Sequence, residues 1–179
     1  IISPKNVTIP AGTPFRLTAS GTDPDGTPLT YCWEQYDTGP ASTLGSPTGN
    51  APMFRSFPPT SSPTRYFPRL QTVSTNTSSG TEVVPQYDRN LTFRVTLRDN
   101  HPASGGQDWE EIKLSVTTAA GPFLVSYPNA NGVVWTQGED RLIEWDIANT
   151  DKAPINCQLV NIKMSTDGGI TFPLTLATN

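Results

Sequence analysis

Histidine is almost missing from this sequence: His101, between Asn100 and Pro102, is the single one. A zinc hydrolase needs two or three His, Cys or carboxylate ligands, usually with paired histidines on a helix, so a zincin site is excluded. A Ser-His-Asp triad would have to use the same residue, which reads instead as a solvated loop histidine. Basic residues are also few. Lys and Arg total 12, scattered along a chain of net charge −4, whereas a nucleic-acid surface needs clustered cations. No apolar run approaches the roughly 18 residues that would span a membrane as a helix. Cysteine is limited to Cys32 and Cys157. They are far apart in sequence and read as unpaired with each other, Cys32 as a small buried hydrophobe.

Apolar residues make up only 35% of the chain, so any core is thin. Two sheets, each burying one face, suit that supply. Thr, Ser, Pro and Gly are abundant, favouring strands and turns over helices, because Pro breaks helices and Thr fits a pleated surface. The expected class is all-β.

Period-two alternation marks the strands. It runs through Phe15-Arg16-Leu17-Thr18-Ala19, and through Leu29 to Gln35 with Leu29, Tyr31 and Trp33 on one face. It is cleanest from Leu91 to Arg98, where Leu91, Phe93, Val95 and Leu97 face inward. Glu111 to Thr117 closes the hairpin, as in the last two strands of an immunoglobulin-like domain. Between Asp37 and Pro85 alternation fails, and eight prolines fall there. A structureless loop of that length is improbable in a compact domain. It reads as an ordered Pro-rich insertion (about 37–90), pinned by Met53, Phe54, Phe57, Tyr66, Phe67 and Leu70.

After a short linker, alternation restarts at Phe123 and recurs over Arg141–Ile147 and Leu159–Ser165, with a hairpin turn at Asp167-Gly168-Gly169. The expected division is an immunoglobulin-like β-sandwich over 1–119 and a second sandwich over 120–179. The second has fewer than the seven strands such a fold uses and reads as truncated. The opening Ile1-Ile2-Ser3-Pro4 likewise reads as the start of an excised fragment.

Ala19 through Gln35, Phe54 through Leu70 and Phe93 through Asn100, taken together, resemble the region downstream of the catalytic domain in secreted bacterial reprolysin-like zinc metallopeptidases. There the region is an immunoglobulin-like module related to polycystic-kidney-disease (PKD) and cadherin-like repeats. Tyr127 through Asp146 and Asn149 through Pro173 resemble the fibronectin III-like sandwich that follows. The resemblance implies a secreted, extracellular or cell-surface accessory module without catalytic residues. Its partners would be the catalytic domain of the parent chain, or an extracellular protein or glycan, with no nucleic acid and no membrane insertion. The family's HExxH zinc helix has no counterpart here, so no zinc is expected in this fragment. A carbohydrate-binding or adhesive module is the alternative function.

Two kinds of site stand out. Asp23 and Asp25, in the loop after the second strand, and Asp99 and Asp108, in the loop between the last two, emerge at one end of such a sandwich. Calcium takes six to eight oxygens and would offset four converging carboxylates. Equally, Asp-Pro and Asp-Gly pairs cap turns without metal. The candidate binding surface comprises Tyr36, Arg65, Tyr66, Phe67, Trp109 and Trp135, with Arg55 and Arg69 beside Tyr66 in the insertion. The same aromatics would otherwise pin the insertion to the sheet. Trp33 and Trp145 read as core. Asp37-Thr38-Gly39 matches the aspartic-protease tripeptide but has no second copy, and reads as a turn.

Overall fold

A computed structural model describes residues 5–77 and 80–178. The alternating segments form strands where the pattern places them: β1 (Val7–Pro10), β2 (Phe15–Thr18), β3 (Thr30–Gln35), β5 (Arg89–Arg98) and β6 (Gln107–Thr117). The insertion contributes β4 (Thr64–Phe67) and a single helical turn, α1 (Leu70–Ser74). One sheet has the order β1-β6-β5-β3, with β1 parallel to β6 and the other pairs antiparallel. A second sheet pairs β2 with β4, Phe15 opposite Phe67.

Both sheets feed one core. Leu17 and Phe67 from the small sheet join Ile9, Trp33, Phe93, Val95 and Ile112 from the large one. Because β5 and β6 pair in continuous register, their even-spaced apolar residues line one face, and Leu91, Phe93, Val95 and Ile112 are fully buried. Each such side chain contributes roughly 1.5–3 kcal/mol of transfer free energy. Phe15, Phe54, Phe67 and Phe93 pack ring on ring, with Phe67 and Phe93 centroids 4.6 Å apart in an edge-on arrangement. The Trp33 indole is buried and its Nε1 donates to the Pro63 carbonyl at 3.0 Å.

The insertion is ordered by polar anchors as much as by apolar ones. Gln35 Oε1 accepts from the backbone of Met53 (2.6 Å) and Phe54 (2.9 Å). Asp37 accepts from Thr92 N at 3.0 Å, and buried Arg89 donates to the Ala51 carbonyl at 2.9 Å while pairing with Asp37 at 3.6 Å. Glu82, only 3% exposed, is the central anchor: its carboxylate meets Arg65 Nη2 at 3.1 Å and Arg69 Nε at 3.4 Å. Charges this deep persist because each is paired and hydrogen-bonded.

From Gly121 onward the chain forms two small antiparallel ladders, β7 (Leu124–Tyr127) with β8 (Glu144–Asp146), and β9 (Ile162–Met164) with β10 (Leu174–Ala177). Alternation is present here, but both faces stay open. Leu142, Leu159 and Ile170 are each more than 60% exposed, and no apolar side chain after Ala120 is buried among the described residues. Trp145, expected in a core, is 36% exposed for the same reason: no second layer covers β8. The junction with the first sandwich is tight. A Cβ on Gly121 would fall 2.2 Å from Ala11 O, Phe123 N donates to Thr13 Oγ1, and a Cβ on Gly169 would fall 2.3 Å from Ser74 Cβ.

Candidate binding surfaces

The outer face of the four-stranded sheet carries the residues that alternate out of the core. On β5 these are Thr92, Arg94, Thr96 and Arg98. The register puts Arg94 opposite Glu111 on β6 and Thr96 opposite Trp109, while Tyr36 N, just past β3, donates to Thr92 O at 2.8 Å. Three long side chains therefore converge. The Arg94 guanidinium lies 3.7 Å from the Tyr36 ring centroid and 4.2 Å from that of Trp109. It is fixed by a 2.7 Å ion pair to Glu111, whose hydrogen bond raises the Arg94 pKa above its ordinary value. Tyr36 is 50% and Trp109 52% exposed. The result is a pre-organised aromatic–cationic platform facing solvent, of a kind that can stack on a sugar or grip a peptide. Tyr36 and Trp109 were legible as exposed aromatics; Arg94 was legible only as an outward strand position, and the cross-strand register supplies its role.

The other expected surface residues divide. Tyr66 (36% exposed) and Trp135 (37%) reach solvent, far apart in the chain and on different modules. Phe67 does not: it is wholly buried, since β4 turns it inward against Phe15 and Phe93. Arg65 is mostly buried too. Its guanidinium packs 4.7 Å from the Phe57 centroid and 4.5 Å from that of Phe67, donates to Trp33 O and Arg55 O, and is paired with Glu82. Burial pushes its pKa below the ordinary value, and the Glu82 hydrogen bond opposes that shift. Arg65 is thus an internal anchor, leaving Arg55 and Arg69 as the cations of this region that face outward.

Three of the four candidate calcium ligands, Asp23, Asp99 and Asp108, line one hollow of about 190 Å³, and Asp25 lies outside its lining. Asp108 belongs to β6 rather than to the loop, because the hairpin ladder extends to Gln107. Each carboxylate already accepts a hydrogen bond from its own segment, Asp23 and Asp99 within turns and Asp108 along β6. Asp23 accepts from Thr27 N and Oγ1, which lowers its pKa; Asp99 accepts from His101 N and Gly106 N; Asp108 accepts from Trp109 N. Among the described residues no three His, Cys, Asp or Glu side chains stand close enough together to hold a metal ion. The donor set as arranged fits capped turns better than a calcium cradle.

The remaining chemistry-bearing residues have structural employment. His101 Nδ1 accepts from the backbone of Ala103 and Ser104. Asp37, in the protease-like tripeptide, anchors Thr92 and Arg89, and Gly39 lets the Asn50 backbone pass where a Cβ would clash at 2.1 Å. Cys32 is buried and Cys157 exposed, both as free thiols. No helix among the described residues is long and apolar enough to cross a membrane. No protein-family model matches the chain, no curated protein matches it, and no solved structure matches it.

Proposed function

We propose that this chain is a non-catalytic interaction module of a secreted bacterial metallopeptidase, built from an immunoglobulin-like, PKD-related sandwich and a partial fibronectin III-like unit. It helps the parent enzyme engage extracellular protein substrate. The family assignment rests on the sequence resemblance. The observation that carries the binding role is the Tyr36–Arg94–Trp109 platform, two half-exposed rings held rigid by a paired guanidinium on an otherwise polar sheet face. Rings that are already ordered lose little side-chain entropy on binding, which is why such residues dominate contact energies.

The test is surface plasmon resonance of the chain over immobilised casein and gelatin, beside a glycan array. Protein binding that falls at least about tenfold in Tyr36→Ala/Trp109→Ala supports the reading. Glycan binding abolished by the same pair would move the assignment to the carbohydrate-binding alternative. Absence of either interaction would refute it.

A further inference from the structure

On a different surface from the platform, two hollows adjoin β4. One, of about 220 Å³, is walled by Trp33, Phe57, Arg65 and Arg69. The other, of about 510 Å³, lies between the β2–β4 sheet and the β9–β10 hairpin, walled by Arg16, Lys163, Ile170 and Phe172. Tyr66 and Leu70 line both, but the first reaches inward past β4, where Arg65 lies opposite the buried Leu17, whereas the second lies over the outer face, where Arg16 lies opposite Tyr66, and forms the open groove. Its charge is one-sided. Two cations, Arg16 and Lys163, line it and no Asp or Glu does, on a chain whose net charge is −4. Glu82 compensates Arg65 and Arg69 from the interior. Arg16 and Lys163 are exposed, and their side chains have no hydrogen-bond or ion-pair partner among the described residues. The groove's second wall is held in place by the Gly169–Ser74 contact, since φ of +84° at Gly169 and the absence of a Cβ let the hairpin turn reach α1.

We infer that this groove is a docking site for an acidic, apolar-containing peptide segment of a partner protein. An extended peptide turns successive side chains to opposite sides, so apolar residues can enter the well between Tyr66, Leu70, Ile170 and Phe172 while carboxylates between them meet Arg16 and Lys163. A polyuronate supplies carboxylates but nothing to fill the well. Nucleic acid would face a net-negative chain with only two groove cations to neutralise its backbone. The inference rests on the reading of the chain as a protein-binding module and names the chemistry of the partner.

The probe is a fluorescein-labelled synthetic peptide alternating Glu and Leu, followed by anisotropy with the whole chain. Binding should weaken about tenfold in Arg16→Glu/Lys163→Glu and fall as salt is raised, because both contacts are solvent-screened charge pairs. A Gln–Leu peptide should bind far more weakly. Tyr36→Ala/Trp109→Ala should leave peptide affinity unchanged. Should the charge reversals lower the melting temperature, Arg16→Gln/Lys163→Gln must show the same direction of loss. No binding of the Glu–Leu peptide, affinity indifferent to these substitutions, or displacement by polygalacturonate at equal carboxylate concentration would overturn the inference. Failure here alongside retained, platform-dependent casein binding would remove the groove and leave the proposed function standing.

Discussion

Replacing Glu82 by Gln removes the one carboxylate that neutralises Arg65 inside the first sandwich. The Glu82 side chain has no exposure, and the Arg65 side chain only 11%, so solvent cannot take over when the charge is lost. Arg69, at 56%, can swing into water, and its share of the interaction is that of a surface pair, about 0–1 kcal/mol. Removing one member of a buried ion pair costs about 3–5 kcal/mol, and the amide oxygen of Gln keeps one acceptor near Arg65, which puts the expected loss at the lower end, about 3 kcal/mol. For a domain of this size that is a drop in melting temperature of roughly 12 °C, at about 4 °C per kcal/mol. Urea denaturation read by Trp33 fluorescence measures it, and the double variant Arg65→Met/Glu82→Gln should recover at least about 1 kcal/mol, since no unpaired charge remains. A loss under about 1 kcal/mol in Glu82→Gln, with an unchanged denaturant slope, would refute the assignment of Glu82 as the insertion's anchor.

Two further outcomes follow from the carboxylates. Asp167, in the β9–β10 turn, accepts from Thr171 Oγ1 and N and from Ser165 Oγ, which hold its pKa down to about 2. A depressed carboxylate stabilises above its unfolded value of 3.8 and loses that contribution as pH falls toward 2. The Thr171 amide resonance should therefore shift only below about pH 4, and Asp167→Asn should abolish the shift. For the Asp23, Asp99 and Asp108 hollow, engagement of every carboxylate by its own segment predicts a melting temperature that moves by less than about 1 °C between calcium and chelator. A larger rise with calcium, lost in Asp99→Asn, would support the metal-site reading.

The strands were legible because a sheet buried on one face writes its register into the sequence. Leu91, Phe93, Val95 and Leu97 alternate, and all four are buried. The insertion was legible only in outline. Its apolar pins Met53, Phe54 and Phe67 are buried as expected, but β4 is a four-residue edge segment whose direction is set by pairing with β2, and nothing local says whether Tyr66 or Phe67 turns inward. Phe67 was thereby readable as either pin or surface, and Trp145 as core, because alternation reports which residues share a face without reporting whether anything covers it. Polar anchors were least legible. Gln35, Arg65 and Glu82 are separated by up to about fifty residues, and residue type alone does not distinguish a buried ion pair from two solvated charges.

This division of labour has a consequence for where binding can occur. In the first sandwich the inner faces are consumed by packing, and the insertion's cations Arg65 and Arg89 are consumed by Glu82 and Asp37. What remains for partners is what the strand period turns outward: the Tyr36 and Trp109 rings about the Glu111-paired Arg94 on one surface, and the uncompensated Arg16 and Lys163 on another. The second unit adds no buried apolar layer of its own, yet its β9–β10 hairpin, seated on α1 through Gly169, converts an open sheet face into a walled groove. Binding capacity on that side therefore depends on the contact between the units, and a side chain at Gly169 that lifts the hairpin from Ser74 should weaken peptide affinity without touching the Tyr36–Arg94–Trp109 platform.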